Sequence, residues 1–317
     1  MSTPINMAQA IVSAHAALAL QALPNNMSFM ASAHISKGLA AIKNDAATGV
    51  FQAVKAACLA LDFIETDTDC IAHAWHAQTL RTGQFDAQTW PTEPSDFGLR
   101  PGPGTDAFAP CPRQLGLYAV LPDAAWVGRM ARAGVPTVQL RFKSAGPEAV
   151  AREVKAAVQA VQGTPALLFI NDHWQAAIAA EAYGVHLGQE DLQTLQATDL
   201  AAIRAAGLRL GVSSHGYAEM LRAAAVLPSY IALGAVFATT LKRMATPPQG
   251  VARLTVYAQL LRHLPTVAIG GIDLTNLDSV LASGVGSVGV VRALVAADKP
   301  EDMAQTLIQK MPIALVK

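Results

Sequence analysis

The chain has 317 residues, is 52% hydrophobic and 15% charged, and its 23 Lys+Arg balance its 23 Asp+Glu. Zero net charge leaves no electrostatic footprint for nucleic acid or an anionic membrane, and no apolar run approaches the ~18 residues of a membrane-spanning helix. The length suits two domains, or one large barrel with an extension.

The amino terminus, Met1-Ser2-Thr3-Pro4-Ile5-Asn6, lacks the cationic start of a secretory signal. Three widely spread cysteines, Cys58, Cys70 and Cys111, fit a reducing cytoplasm better than a disulfide framework. Residues 6–22 and 49–82 are Ala-rich with helical spacing. Ala53, Val54, Ala57, Cys58, Leu61 and Ile64 follow one apolar stripe. Residues 1–90 therefore read as a mainly helical accessory region of unknown function. Cys70, His73 and His76 are ligand-type residues spaced three apart, but each such step drifts by about 60° around a helix, so they do not share one tight face. Residues 91–113 carry Pro101-Gly102-Pro103-Gly104 and Pro110-Cys111-Pro112 and read as a linker.

From residue 114 to 317 the rhythm changes. Short apolar runs at 115–121, 136–141, 166–170, 184–187, 208–213, 230–233, 266–270 and 287–291 alternate with helical stretches. Strands this short and apolar are covered on both faces, as in a parallel sheet. Eight such units predict an α/β fold, a closed (β/α)8 TIM barrel, with the helical region as an N-terminal extension.

The active site of such a barrel lies at the carboxyl ends of its strands, and polar residues collect after each apolar run. The second run ends in Gln139, Arg141 and Lys143, two cations and an amide that suit a diphosphate. Asn171 and Asp172 follow the third run and Asp191 follows the fourth. Two converging carboxylates beside phosphate suit Mg²⁺, although each Asp also precedes a helical run and could cap it. Ser213, Ser214 and His215 follow the fifth run. The sixth is followed by a loop of about 16 residues, a length typical of binding loops, which carries Thr239, Thr240 and Lys242. Gly270 and Gly271 follow the seventh run and Arg292 the eighth, where bare backbone N–H groups can approach a phosphate. Two anion sites imply two phosphorylated substrates.

The strings Val138-Gln139-Leu140-Arg141-Phe142-Lys143, Phe169-Ile170-Asn171-Asp172 and Gly184-Val185-His186-Leu187-Gly188-Gln189-Glu190-Asp191 resemble the thiamine phosphate synthase family. So do Gly211-Val212-Ser213-Ser214-His215, Ser229-Tyr230-Ile231-Ala232-Leu233-Gly234 and Thr266-Val267-Ala268-Ile269-Gly270-Gly271-Ile272. The resemblance spans about 113–310, in order. It implies a Mg²⁺-dependent transferase that joins hydroxymethylpyrimidine diphosphate to hydroxyethylthiazole phosphate, with diphosphate leaving and a pyrimidine carbocation captured by the thiazole nitrogen. It implies that Gln139, Leu140, Arg141, Phe142, Lys143, Asn171, Ser213 and Lys242 form the pyrimidine diphosphate site. Arg141, Lys143, Ser213 and Lys242 would be its catalytic residues, and Asp172 and Asp191 its metal ligands. Thr239, Thr240, Leu241, Gly271, Val291 and Arg292 would form the thiazole phosphate site.

Two positions depart from the family. Leu241 stands where the family usually has a hydroxyl residue, and Arg292 where it usually has Ser. An added guanidinium can replace a lost hydroxyl at a phosphate. Two alternatives to the synthase are a thiazole tautomerase-like enzyme, which needs no diphosphate site, and a non-catalytic thiamine phosphate sensor. The expected partners are the two small-molecule substrates, with no nucleic acid and no membrane, in the cytoplasm. A homo-oligomer is compatible with this reading.

Overall fold

The computed structural model describes residues 3–20, 46–100, 102, 104, 106–144, 146–239 and 247–311. Among the described residues the α-helices α1 (Pro4–Ala14), α2 (Ala46–Ala60) and α3 (Glu65–Thr82) come first. Then follow β1 (Gly116–Leu121), α4 (Ala124–Arg132), β2 (Thr137–Leu140), α5 (Pro147–Val161), β3 (Leu167–Asn171) and α6 (Trp174–Ala179). Next are β4 (Gly184–Leu187), α7 (Gln189–Thr194), α8 (Ala197–Ala205), β5 (Arg209–Ser214), α9 (Tyr217–Ala225) and β6 (Tyr230–Leu233). The chain continues with α10 (Gly250–Leu260), β7 (Thr266–Ile269), α11 (Leu277–Leu281), β8 (Ser287–Val290), α12 (Arg292–Val295) and α13 (Pro300–Lys310). It divides into two units, Met1–Gly102 with Gly216–Arg222, and Pro103–His215 with Ala223–Lys317. Among the described residues no helix is long and apolar enough to cross a membrane.

In the second unit the strands run in sequence order, every neighbouring pair is parallel, and β8 closes on β1. This is the expected (β/α)8 barrel. β2, β4, β6 and β8 are buried along their whole length, as strands covered by helices on one side and a filled interior on the other must be. Local signals set the helix starts. The Asp123 carboxylate accepts from Trp126 N–H at 2.8 Å to open α4, and Pro147 opens α5.

The barrel interior is filled by aromatic rings set opposite glycines. Phe169 on β3 pairs with Gly184 on β4, and Gly211 on β5 pairs with Tyr230 on β6. A Cβ on Gly211 would lie 2.1 Å from Tyr230 Cζ, and one on Gly184 would lie 2.5 Å from Phe169 Cε1. Glycine weakens a strand intrinsically. Here it is what lets a ring lie across the neighbouring strand.

The first unit packs α1, α2 and α3 around Ile11, Leu61, Ile71 and Trp75, all fully buried. The stripe expected to run on through Ile64 is cut short. Asp62 adopts a left-handed backbone at φ 63°, which Asp tolerates better than most residues, and α2 ends before it. Ile64 is then 48% exposed, at the residue before α3. Within the stretch expected as a linker, Pro94–Phe97 forms a 3-10 turn and Asp96 is held by Arg81 through bonds of 2.9 and 2.6 Å. Trp90 Nε1–H donates to the Tyr217 hydroxyl at 2.8 Å, Phe97 stacks on Tyr217 at 5.3 Å, and Ala218 N–H donates to Asp67 at 2.8 Å.

Gly211→Ala should force Tyr230 out of its place. Overpacking of this kind costs about 1–3 kcal/mol. Denaturant unfolding should show that loss with an unchanged denaturant dependence.

Candidate active site at the carboxyl ends of the strands

Six side chains from six strands form one hydrogen-bonded chain inside the barrel. The Tyr118 hydroxyl on β1 donates to Gln139 Oε1 on β2 at 2.8 Å, and Gln139 Nε2–H donates to Asn171 Oδ1 on β3 at 2.8 Å. The Tyr118 and Tyr230 hydroxyls are 2.7 Å apart. His186 on β4 places Nδ1 at 2.7 Å from the Tyr230 hydroxyl and Nε2 at 2.7 Å from Ser213 Oγ on β5. The direction follows from counting protons. Tyr118 spends its one proton on Gln139, so Tyr230 donates to Tyr118. His186 Nδ1–H then donates to Tyr230, and Ser213 Oγ–H donates to Nε2.

The chain is electrically neutral. Burial holds His186 down to about 4 and pushes both tyrosines up. An uncompensated imidazolium here would be costly. Both ring nitrogens of His186 already have neutral partners, and burial outweighs the opposing pull of the Asp172 charge.

Just beyond the strand ends the residues are charged. Lys143 Nζ–H donates to Asp172 Oδ2 at 2.6 Å. Asp172 sits at φ 64°, a left-handed turn directly after β3. Asp191 lies in the first turn of α7, where it accepts from Gly188 N–H at 3.0 Å. Burial raises Asp191, and the Asp172 charge and a contact between the two carboxyl groups raise it further, against the opposing pull of Gly188 N–H and Lys143. Asp191 thus caps its helix and faces a second carboxylate at once. Asp172 caps no helix: the residue preceding α6 is His173, without a side-chain cap bond. Two carboxyls pressed together, with one cation already paired, form a donor set that suits a hard divalent ion. Among the described residues no group of three or more His, Cys, Asp or Glu is placed to hold a metal.

The structure places the other expected residues as follows. β2 ends at Leu140, Arg141 N–H adds one more bond to the Leu121 carbonyl at 2.7 Å, and Lys143 lies in the loop beyond. Among the described residues the Arg141 side chain makes no ion pair. Leu140 is 1% exposed and lies on the face of β2 opposite Gln139, so its side chain is not brought to the others. Phe142 is half-buried, and its carbonyl is 3.2 Å from His173 Nε2. Ser213 is joined to His186, and its carbonyl accepts from Gln189 Nε2–H at 2.8 Å. Thr239 is half-buried, whereas Thr240, Leu241 and Lys242 lie outside the described residues. Gly270 and Gly271 follow β7 with φ of 96° and 67°. Val291 precedes α12 and Arg292 begins it, exposed to solvent. Tyr118, Tyr230 and His186 were not expected at the site. The signal that could have found the tyrosines is their hydroxyls in otherwise apolar strands, where each needs a partner.

His186 makes stability pH-dependent. The unfolded chain takes up a proton here near pH 6.5 and the folded chain only near 4. This residue's contribution is complete above pH 6.5 and drains away as pH falls to 4, by on the order of 3 kcal/mol. His186→Gln should flatten that part of the profile, as measured by denaturant unfolding at pH 7, 5.5 and 4.5.

Comparison with known proteins places this geometry. The family model described as thiamine monophosphate synthase matches residues 117–294. A thiamine-phosphate synthase of Neisseria gonorrhoeae is 55% identical over 194 residues, 61% of this chain and 93% of that protein. One from Salmonella agona is 53% identical over 201 residues, 63% of this chain and 94% of that protein. The solved thiamine phosphate pyrophosphorylase of Pyrococcus furiosus is 27% identical with a TM-score of 0.54, and it covers 62% of this chain and 97% of its own. With the matched region running from β1 through β8, the chain belongs to the thiamine monophosphate synthase family.

Proposed function

We propose that the barrel is a thiamine-phosphate synthase, a transferase that joins hydroxymethylpyrimidine diphosphate to hydroxyethylthiazole phosphate and releases diphosphate. The observation that carries the reading is the meeting of Lys143, Asp172 and Asp191 directly beyond a buried neutral chain of hydrogen bonds. The charged rim suits a leaving diphosphate and the neutral chain suits an uncharged polar ring.

Asp172 and Asp191 would hold Mg²⁺, which when bound neutralises charge on the diphosphate oxygens. Lys143 and Arg141 meet the charge that grows on the diphosphate as the C–O bond to the pyrimidine breaks. Cations fixed in place before the reaction need no reorganisation at that moment. The broken bond leaves positive charge on the pyrimidine side. Beside it, the neutral imidazole of His186 adds no repulsion, and the Tyr118, Gln139 and Ser213 dipoles can orient the ring. The thiazole nitrogen then supplies the electron pair of the new C–N bond. Its phosphate would be held by Gly271, Val291, Arg292 and Thr239, together with Thr240 and Leu241, and Lys242 would join the diphosphate site. The odd number and wide spread of Cys58, Cys70 and Cys111 support a reducing, cytoplasmic setting.

The purified full chain, given both substrates, should form thiamine phosphate only with Mg²⁺, read as fluorescent thiochrome after oxidation; EDTA should stop it. Lys143→Met should lower kcat by roughly 100-fold, as expected when one preorganised charge contact is lost. No product from the unmodified chain with Mg²⁺ and both substrates would sink the reading.

The guanidinium of Arg292 compensates for the hydroxyl missing at Leu241. Arg292→Ser should therefore raise the KM for thiazole phosphate roughly tenfold or more, the value of a hydrogen bond to a charged group. An unchanged or lower KM would remove the compensation argument.

A further inference from the structure

Three side-chain bonds join the carboxyl end of β2 and the residues after it to the end of β3 and the residues after it. Gln139 donates to Asn171 at 2.8 Å and Lys143 to Asp172 at 2.6 Å, and His173 Nε2 lies 3.2 Å from the Phe142 carbonyl. Three consecutive residues of one segment thus meet three positions of the other. Four of the five side chains have a place in the proposed substrate and metal sites. His173 does not.

A carbonyl oxygen only accepts, so His173 Nε2 carries the proton and donates it. The Nε2–H tautomer and the imidazolium both offer this donor. The bond therefore does not depend on the charge of the ring.

The Lys143–Asp172 pair cannot persist once the ammonium meets a diphosphate and the carboxylate meets a metal ion. Beyond β2, Arg141 N–H still bonds to the Leu121 carbonyl at 2.7 Å. Past that point, the Phe142 carbonyl is the next fixed group. It lies between the two cations, so holding it sets the direction of both.

We infer that His173 is a positioning residue: its bond to the Phe142 carbonyl holds Arg141 and Lys143 in register while the Lys143–Asp172 pair opens to admit a diphosphate. The inference rests on the proposed reading of this rim as a diphosphate site. Its test is arranged so that the two can fail separately.

The test compares the full chain with His173→Ala and His173→Gln. Calorimetry measures binding of inorganic diphosphate with Mg²⁺, and steady-state kinetics measures both substrates. His173→Ala should raise the Kd for diphosphate and the KM for the pyrimidine diphosphate about tenfold, the loss of one such hydrogen bond. The KM for thiazole phosphate should not change by more than about twofold, and any fall in kcat should occur at an unchanged Tm. His173→Gln should restore most of the loss, because its amide N–H can reach the same carbonyl. Equal loss in both KM values, a fall in kcat that tracks a lower Tm, or failure of Gln to restore binding would each overturn the inference. If the unmodified chain binds diphosphate but forms no thiamine phosphate, the functional reading fails and the diphosphate measurement still decides His173. If it does not bind diphosphate at all, both fail.

Discussion

A hydroxyl or amide buried in a barrel is costly without a hydrogen-bond partner, so each polar group there calls for one. Tyr118, Gln139, Asn171, His186, Ser213 and Tyr230 meet that requirement through one another. The chain they form runs in one direction, and each proton is used once. Removing any member would leave its neighbour unpaired in an apolar interior, which costs more than the bond itself contributes. The glycines at 184 and 211 serve the same constraint, since they make the room that brings the rings into register.

This neutral interior gives meaning to the charges beyond it. A positive His186 would repel both a metal ion and a developing pyrimidine cation. Its depressed pKa removes that obstacle, and the cause is burial rather than a neighbouring cation. At the rim the balance reverses. Asp172 is paired with Lys143 and pressed towards Asp191, so the site holds opposed charges ready to exchange partners. A diphosphate with its metal ion would resolve both conflicts together, taking the ammonium to phosphate and the carboxylates to metal. The exchange needs a segment that stays in place while its ion pair opens, which is the role assigned to His173.

The first unit has a different kind of core. Its aromatic residues Phe63, Phe97 and Trp90 meet Tyr217, Trp75 packs against Trp90, and its buried Asp67 accepts from Ala218 N–H. The segment Gly216–Arg222 belongs to this unit although it lies far along the chain. Spacing in the first 90 residues shows helices. It could not show that a segment more than a hundred residues later completes their core.

The sequence by itself determined the eight strands, the order of the barrel and the residues of the charged rim. The second, third and fourth apolar runs are short and polar residues follow them, so composition changes near the strand ends, and Gln139, Arg141, Lys143, Asp172 and Asp191 are legible there. Tertiary structure alone decided the neutral chain behind them. Tyr118 and Tyr230 are 112 positions apart, and their hydroxyls meet only because the strands close into a ring of fixed register. It also decided that Asp62 breaks the first apolar stripe and that His173 reaches back to Phe142. Local pattern reports what each residue buries. Which partners it meets across the barrel depends on closure, and closure is a property of all eight strands together.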